Sequence, residues 1–361
     1  MKQRNGKIEL MRFVFTVLVV AFHAGGDIWN GAKPLTEHLS LASQGAIGVE
    51  FFFLVSGFLM AKSVYRQNRQ TPCDTQTLGS DTTRFLWRKV KGIWPYHLFF
   101  CFAIFVVHCI KVGSFHLHYL WYELPSLFFL HRSGIIGVVD AFIGVEWYIS
   151  SMLLAMAVLY PLIRYNYNLF THVVAPLTGI LVIGYIAYTT DALTGAGEWV
   201  GLTFKTNLRA VAELCLGAAG YEVCRSMEGR TFTTLQRLML TLAEAGGLLY
   251  AVYICCSREN THMQFYALMA LCVAVPLAFG GKGLLSGSSL FQNRVCMFLG
   301  AVSLPIYLCQ NLTRAICKYW LGELPKRWQF IFVVVSTVLL GTAVYLIWNA
   351  IGSMRKKGEK A

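Results

Sequence analysis

The stretch "LMRFVFTVLVVAFHAGG", Leu10 to Gly26, has the length and apolar composition of a helix that crosses a lipid bilayer. It nevertheless carries Arg12 near its start and His23 near its end, eleven positions later. That spacing is three helical turns, so both side chains share one face of the helix and lie about 16 Å apart along its axis. An ionisable group inside a membrane is costly and by default indicates a functional site. The alternatives are an interfacial anchor for Arg12 and a hydrogen-bonded packing residue for His23.

The rest of the chain repeats this apolar pattern. Of 361 residues, 56% are hydrophobic and 14% are charged, and the mean hydropathy is +0.54. Soluble domains are about 45–50% apolar and about 25% charged. We therefore predict an all-α polytopic membrane bundle of about ten transmembrane helices. The predicted spans are 10–26, 46–63, 93–112, 144–163, 169–189, 205–224, 238–257, 263–281, 296–317 and 329–351. The stretch 120–143 contains Pro125, His131 and Gly134, so it is either a short or re-entrant segment or an eleventh span.

Basic residues outnumber acidic ones, with 31 Lys and Arg against 18 Asp and Glu. They are spread through short loops, and the sequence has no basic domain that would bind a nucleic acid. Most of them fall in loops on the side of both termini, which predicts that both ends of the chain are cytosolic. No polar interval is long enough for a soluble domain, so residues 1–361 are predicted to form a single transmembrane domain. The cysteines lie mostly within apolar runs, which predicts neither a disulfide framework nor a metal site.

The second predicted span begins "GVEFFFLVSGF" and places Glu50 about one turn below its outer end. This depth is comparable with that of His23 on the neighbouring span. A carboxylate beside a histidine orients one ring nitrogen and makes the other more basic, as a general base requires. We therefore expect Glu50 to support His23. The alternative is an interfacial glutamate that faces water.

Further polar residues fall in the same outer layer of the predicted bundle. They are Glu146, Trp147, Ser150, Arg209, Glu213, Tyr307, Gln310, Asn311 and Arg314. Because five helices contribute to one layer, we predict a polar chamber there. The inner side carries Arg84, Arg88, Lys89 and Lys91, just before "GIWPYH". Such a cluster suits anionic lipid headgroups and a phosphorylated cytosolic ligand equally well.

With these residues identified, the sequence resembles the acyltransferase 3 family of integral membrane acyltransferases. The first family hallmark is an arginine and a histidine separated by ten residues in the first span, matched by Arg12 and His23. The second is a GV(D/E)xFFxxSGF segment, matched by Gly48 to Phe58. Three further elements follow in order: "RKVKGIWP" (Arg88–Pro95), "WYISSMLLAMAVLYP" (Trp147–Pro161) and "GAVSLPIYLCQN" (Gly300–Asn311). The chain departs from the common family pattern at Gly92, Met152 and Gln310.

The resemblance implies transfer of an acyl group, usually acetyl, from cytosolic acyl-CoA to a hydroxyl of an extracytoplasmic or lipid-linked glycan. It implies a multi-pass protein of the bacterial cytoplasmic membrane, in contact with membrane lipid, acyl-CoA and a glycan acceptor. Acyl-CoA is then a donor substrate, and no tightly bound cofactor is expected. The oligomeric state is left open, and a homo-oligomer is allowed.

Within this hypothesis the predicted site residues take distinct roles. Arg12, Arg88 and Lys89 bind the donor phosphates. His23 acts as general base on the acceptor hydroxyl and Glu50 orients it, as in a catalytic triad without a serine. Transient acylation of His23 itself is the alternative chemistry. The candidates for holding the substrate or the oxyanion are Trp147, Ser150, Arg209, Tyr307 and Gln310.

Two other function classes remain open at this stage. A transporter of a lipid-linked sugar or an anion would also be polytopic, with a histidine and a glutamate inside the membrane. Transporters commonly carry repeated halves or paired broken helices, and the sequence has neither pattern. The other class is a non-catalytic partner in glycan assembly. It remains open because Met152 and Gln310 stand where many family members have an acidic residue and a histidine.

Overall fold

The computed structural model describes residues 4–29, 40–115, 117–134, 142–257 and 261–358. Helices α1 to α12 account for most of these residues. They are α1 (Gly6–Trp29), α2 (Gly48–Gln70), α3 (Leu78–Val112), α4 (His118–Leu127), α5 (Trp147–Tyr165), α6 (Tyr167–Leu169), α7 (Ala175–Thr190), α8 (Lys205–Ser226), α9 (Thr234–Cys255), α10 (Thr261–Gly280), α11 (Arg294–Trp320) and α12 (Lys326–Gly358). The two short strands β1 (Trp199–Val200) and β2 (Thr203–Phe204) form an antiparallel hairpin before α8. The structure is 79% helical, which confirms the all-α prediction.

Each of the ten predicted spans coincides with a long helix. Among the described residues, nine helices are long and apolar enough to cross a membrane, and α6 and α7 form one of them through the π turn Phe170–Val174. The remaining predicted span, 205–224, corresponds to α8, which has the length of a span but carries more charge. Helix α4 has 10 residues and is too short to cross, so the eleventh span is not formed. Part of the stretch that suggested it, 135–141, lies outside the described residues.

The two sides of the bundle are distinguished by the helix ends that meet there. On the side where α1 begins, called here the N-terminal side, Arg4 lines a cavity together with Lys62 of α2 and Phe279 of α10. On the opposite side, Asp27 near the end of α1 lines a second cavity with Tyr319 of α11. Because the ten long helical segments alternate in direction, α12 ends on the N-terminal side.

Helices α2 and α8 cross at close range through glycine. A Cβ atom added at Gly57 would clash with the backbone carbonyl of Leu214, and Gly217 meets the facing backbone of α2 in the same way. Small residues allow helix backbones in membranes to approach this closely. The crossing fixes the heights of the two helices and so brings Glu50 and Arg209 to one level.

Helix α1 lies inside the bundle, in contact with α2, α11 and α12. Gly48, at the start of α2, packs against Phe15 and Val19 of α1. Nearer the N-terminal side, the buried Lys7 pairs with Glu244 of α9, with Nζ 2.5 Å from Oε1. These contacts fix α1 with one end at each side of the bundle.

Candidate active site

A cavity of about 550 Å³ opens beside the first turns of α1 on the N-terminal side. Its charged lining residues are Arg4, Arg12, Lys62 and one carboxylate, Glu9. Glu9 Oε2 lies 3.9 Å from Arg4 Nη1 and 3.6 Å from Arg12 Nη1. The aromatic ring of Phe279 forms part of the wall, with Lys62 Nζ 5.9 Å from its centroid. Because cations exceed carboxylates, the cavity suits an anionic ligand such as a phosphate ester.

The three residues predicted to bind a phosphorylated donor lie on this side. Arg12 lines the cavity, and Lys89 of α3 is within electrostatic range of both Arg12 and Arg88. Lys89 Nζ also lies 5.6 Å from the ring centroid of Phe85. Cations held this close repel one another, and a bound anion would relieve that repulsion. Of these three residues Arg12 lines the cavity itself, and Lys89 lies within electrostatic range of Arg12.

His23 is half-buried near the opposite-side end of α1. Its ring contacts that of Phe22, with the centroids 5.0 Å apart. Asp27 and Arg314 lie within electrostatic range of the imidazole. In the part of the chain that the structure describes, no hydrogen bond or ion pair occupies its ring nitrogens. The ring nitrogens are thus not engaged by other described side chains, which a general base requires.

A cavity of about 990 Å³ opens beside this end of α1 on the opposite side. Its polar lining residues are Asp27, His108, Asn311, Arg314, Lys318, Tyr319 and Gln329. Arg314 donates from Nε to Asp27 Oδ2 at 2.5 Å and from Nη2 to Asp27 Oδ1 at 2.7 Å. Its Nη1 donates to Asn311 Oδ1 at 3.2 Å. A guanidinium held by two parallel hydrogen bonds to a carboxylate is fixed in orientation.

A known protein family matches this chain. A family model described as an acyltransferase domain matches residues 5–346, nearly the whole chain. The chain belongs to the acyltransferase 3 family. No curated protein and no solved structure matches it significantly. Family membership and the apolar helices together make this acyltransferase 3 chain a multi-pass membrane acyltransferase.

Glu50 of this acyltransferase 3 chain is buried, but it is not paired with His23. Its carboxylate forms an ion pair with Arg209 of α8, and Arg209 Nε lies 3.7 Å from Glu213 Oε1. The side chains of this group of three are no more than 1% exposed. Among the described residues no ion pair or hydrogen bond joins Glu50 to His23, which corrects the expectation that the carboxylate orients the imidazole. The reason is that Glu50 lies on the face of α2 that meets α8, and equal depth in the membrane does not determine which neighbour a side chain faces.

Two of the predicted substrate contacts lie at the start of α5. Trp147 packs on the buried ion pair, with the guanidinium carbon of Arg209 5.6 Å from its ring centroid. The Ser150 hydroxyl is buried and accepts a hydrogen bond from the backbone amide of Arg132 at 3.5 Å. Trp147 therefore borders the Glu50–Arg209 pair, and Ser150 borders the backbone at Arg132.

Two further predicted contacts, on α11, donate hydrogen bonds to backbone carbonyls, and the fifth is Arg209, the partner of Glu50. The Tyr307 hydroxyl donates to the carbonyl of Val145 at 2.6 Å, and Gln310 Nε2 donates to the carbonyl of Tyr307 at 2.8 Å. The Tyr307 ring also meets that of Tyr148 edge-on, with the centroids 6.0 Å apart. The Tyr307 contacts join α11 to α5 and to the turn before it, whereas the Gln310 hydrogen bond stays within α11.

A second buried polar cluster on the opposite side contains Glu146, which the sequence placed in the outer polar layer, together with Glu123 and His131, which it did not assign to that layer. Glu123 of α4 accepts a hydrogen bond from the Phe142 amide at 2.7 Å, and Glu146 Oε2 lies 3.5 Å from His131 Nδ1. Burial, together with the nearby Glu146, raises the pKa of the Glu123 carboxyl from its ordinary value of 4.5 to about 7, against the effect of the Phe142 amide. In the described residues, neither this cluster nor any other groups three His, Cys, Asp or Glu side chains so that they would hold a metal ion. The role of Asp27 was also missed, although its position one turn after the predicted base is visible in the sequence.

Proposed function

We propose that this chain is an O-acyltransferase of the bacterial cytoplasmic membrane. It moves an acyl group, in the simplest case acetyl, from cytosolic acyl-CoA to a hydroxyl of an extracytoplasmic or lipid-linked glycan. One observation carries the proposal: two cavities open on opposite sides of the bundle, and α1 borders both. Arg12 lines the first cavity and His23 lies beside the second. A donor and an acceptor entering from opposite sides would meet along the face of α1 that carries these two residues.

The N-terminal-side cavity has the charge that an acyl-CoA donor requires. CoA carries phosphates at one end and a long pantetheine arm that ends in the thioester. Arg12, Arg88 and Lys89 would bind the phosphates, with Arg4 and Lys62 contributing from the cavity wall. The three turns of α1 from Arg12 to His23 span about 16 Å, which an extended arm would bridge.

The reaction at His23 follows from general base catalysis. The imidazole takes the proton of the acceptor hydroxyl while the hydroxyl oxygen attacks the thioester carbonyl carbon. The carbon–sulfur bond then breaks, and the imidazolium returns the proton to the leaving thiolate. Glu50 would act at a distance from this chemistry, by holding Arg209 against Trp147 in the wall of the chamber.

The test is a comparison of wild type with His23→Ala in liposomes, with radiolabelled acetyl-CoA on one side and an extracted glycan pool as acceptor. Ester-bound label should fall by at least about 10²-fold in the variant, because a positioned general base contributes about 10²–10⁴-fold. The matched control is His262→Ala, which removes an exposed histidine at the start of α10 and should leave transfer unchanged.

Undiminished ester formation by His23→Ala would refute the assignment of the base. Label that crosses the membrane without becoming an ester would instead support transport. If wild type neither forms an ester nor binds acetyl-CoA, the role of non-catalytic partner is favoured.

A further inference from the structure

The Asp27–Arg314 pair lines the opposite-side cavity, and both of its residues lie within electrostatic range of the proposed base. Asp27 follows His23 by one turn on α1, and Arg314 of α11 lines the same cavity. The Arg314 guanidinium is fixed by both carboxylate oxygens of Asp27 and by the side-chain oxygen of Asn311. Its side chain keeps 21% of its surface exposed, so it is oriented and still open to the cavity.

The other donors that the sequence suggested for an oxyanion site are engaged elsewhere. Arg209 is 1% exposed and lies between Glu50 and Glu213. The Tyr307 hydroxyl and the Gln310 amide donate to backbone carbonyls. In the described structure Arg314 is thus a fixed cationic donor that lines the cavity and lies within electrostatic range of His23.

We propose that Arg314, oriented by Asp27, is the oxyanion donor of the transfer reaction, and that the acceptor hydroxyl enters through the cavity that these two residues line. This inference rests on the proposed function. When the acceptor oxygen bonds to the thioester carbon, the carbonyl electron pair moves onto its oxygen, and a guanidinium N–H stabilises that charge. The pair then re-forms the carbonyl, the carbon–sulfur bond breaks towards sulfur, and the thiolate takes the proton that His23 removed.

The lining of the cavity indicates the class of acceptor. Asn311, Lys318, Tyr319 and Gln329 offer several hydrogen-bonding groups around one space, which suits a polyhydroxylated ring such as a sugar. Ile28 and further apolar residues cover the remaining wall, as an amphipathic sugar face requires.

A purely structural role for the pair makes a different prediction. The Asp27 side chain is 48% exposed, and ion pairs open to water contribute little to stability. Replacing either partner should then leave turnover per folded molecule nearly unchanged, with at most a small fall in melting temperature. The proposed role predicts instead a loss of turnover without a loss of folded protein.

The experiment measures turnover at saturating acetyl-CoA, with the glycan extract as acceptor, for Arg314→Gln, Arg314→Lys and Asp27→Asn. Arg314→Gln should lower turnover by about 10²–10³-fold, as removal of one oxyanion donor does. Arg314→Lys should retain part of it, because it keeps the charge but loses the two-pronged contact with Asp27. Binding of acetyl-CoA by itself, measured calorimetrically, should be unchanged in all three variants. Arg225→Gln is the matched control, since it breaks an ion pair with Glu222 away from both cavities.

Three outcomes would overturn the inference. Turnover of Arg314→Gln within about twofold of wild type would remove Arg314 from the reaction. A raised KM for acetyl-CoA with unchanged turnover would make it a donor-binding residue. A lower melting temperature with unchanged turnover per folded molecule would make the pair structural. If wild type itself neither binds acetyl-CoA nor forms an ester, the proposed function is wrong. This result differs from the three outcomes above, in which wild type is active.

Discussion

At the scale of single residues, Glu123 is a buried carboxyl whose titration should affect folding. It is 3% exposed, and burial raises its pKa from 4.5 to about 7, with Glu146 adding to the shift. In the unfolded chain the same group would titrate near its ordinary value, so between these two pKa values the folded state binds more protons than the unfolded one. The contribution of Glu123 to stability is therefore full below pH 4.5 and is lost as the pH rises through about 7.

The corresponding variant is Glu123→Gln, which keeps an acceptor for the Phe142 amide and removes the charge. Between about pH 5 and 8 the melting temperature of wild type in detergent should fall, and that of the variant should fall less, because the linked proton is absent. Glu323→Gln, at an exposed position before α12, serves as control and should follow wild type. Parallel pH profiles for wild type and Glu123→Gln would show that Glu123 does not contribute.

The sequence predicts which residues share a face of one helix, because this depends only on the helical period. It does not predict which neighbouring helix a side chain contacts. The period placed Arg12 and His23 on one face of α1, and the structure has them near cavities on opposite sides. The depth of Glu50 was also predictable. Its partner Arg209 was not, because the rotation of α2 about its axis depends on a glycine contact with α8 that no periodicity encodes.

At the scale of helices, α8 shows how a charged segment is accommodated in a bundle. The span 205–224 was predicted from length and pattern, and the helix extends from Lys205 to Ser226. Its charges are matched by neighbours: Arg209 lies between Glu50 and Glu213, and the buried Lys205 pairs with Glu198. Such partners reduce the cost of placing charge in the bundle. Glu213 lies one turn away on α8 itself, but the identities of Glu50 and Glu198 required the structure, because they come from other parts of the chain.

The α2–α8 crossing should be sensitive to a single methyl group. In Gly57→Ala the new Cβ would clash with the Leu214 backbone carbonyl, which cannot move as a side chain does. We expect the free energy of unfolding to fall by about 1–3 kcal/mol, the usual cost of overpacking, with a lower melting temperature in detergent. In Gly246→Ala of α9 nothing lies within 4 Å of the new Cβ, so stability should be unchanged or slightly higher. Equal melting temperatures for the two variants would contradict the close crossing.

At the scale of the whole molecule, the two cavities and the distribution of charge define an orientation. The N-terminal side carries the cations Arg4, Arg12 and Lys62 around its cavity, and basic loops are retained on the cytosolic side of bacterial membranes. A cytosolic N-terminal side is also what a cytosolic acyl-CoA donor requires. The predicted ten-crossing topology and the proposed donor site therefore depend on the same orientation.

This orientation can be measured with single cysteines in a variant from which the other native cysteines have been removed. Cys73 lies in the loop between α2 and α3 on the N-terminal side, and Leu202→Cys would place a thiol in the hairpin before α8, where Leu202 is 97% exposed. A membrane-impermeant maleimide should label Leu202→Cys in intact cells with a permeabilised outer membrane, and Cys73 only after the inner membrane is opened. The reverse pattern would invert the bundle and move the acyl-CoA site outside the cell. Labelling of both positions in intact cells would place the two loops on the same side of the membrane. An even number of crossings would then separate them, and the helix topology itself would be wrong.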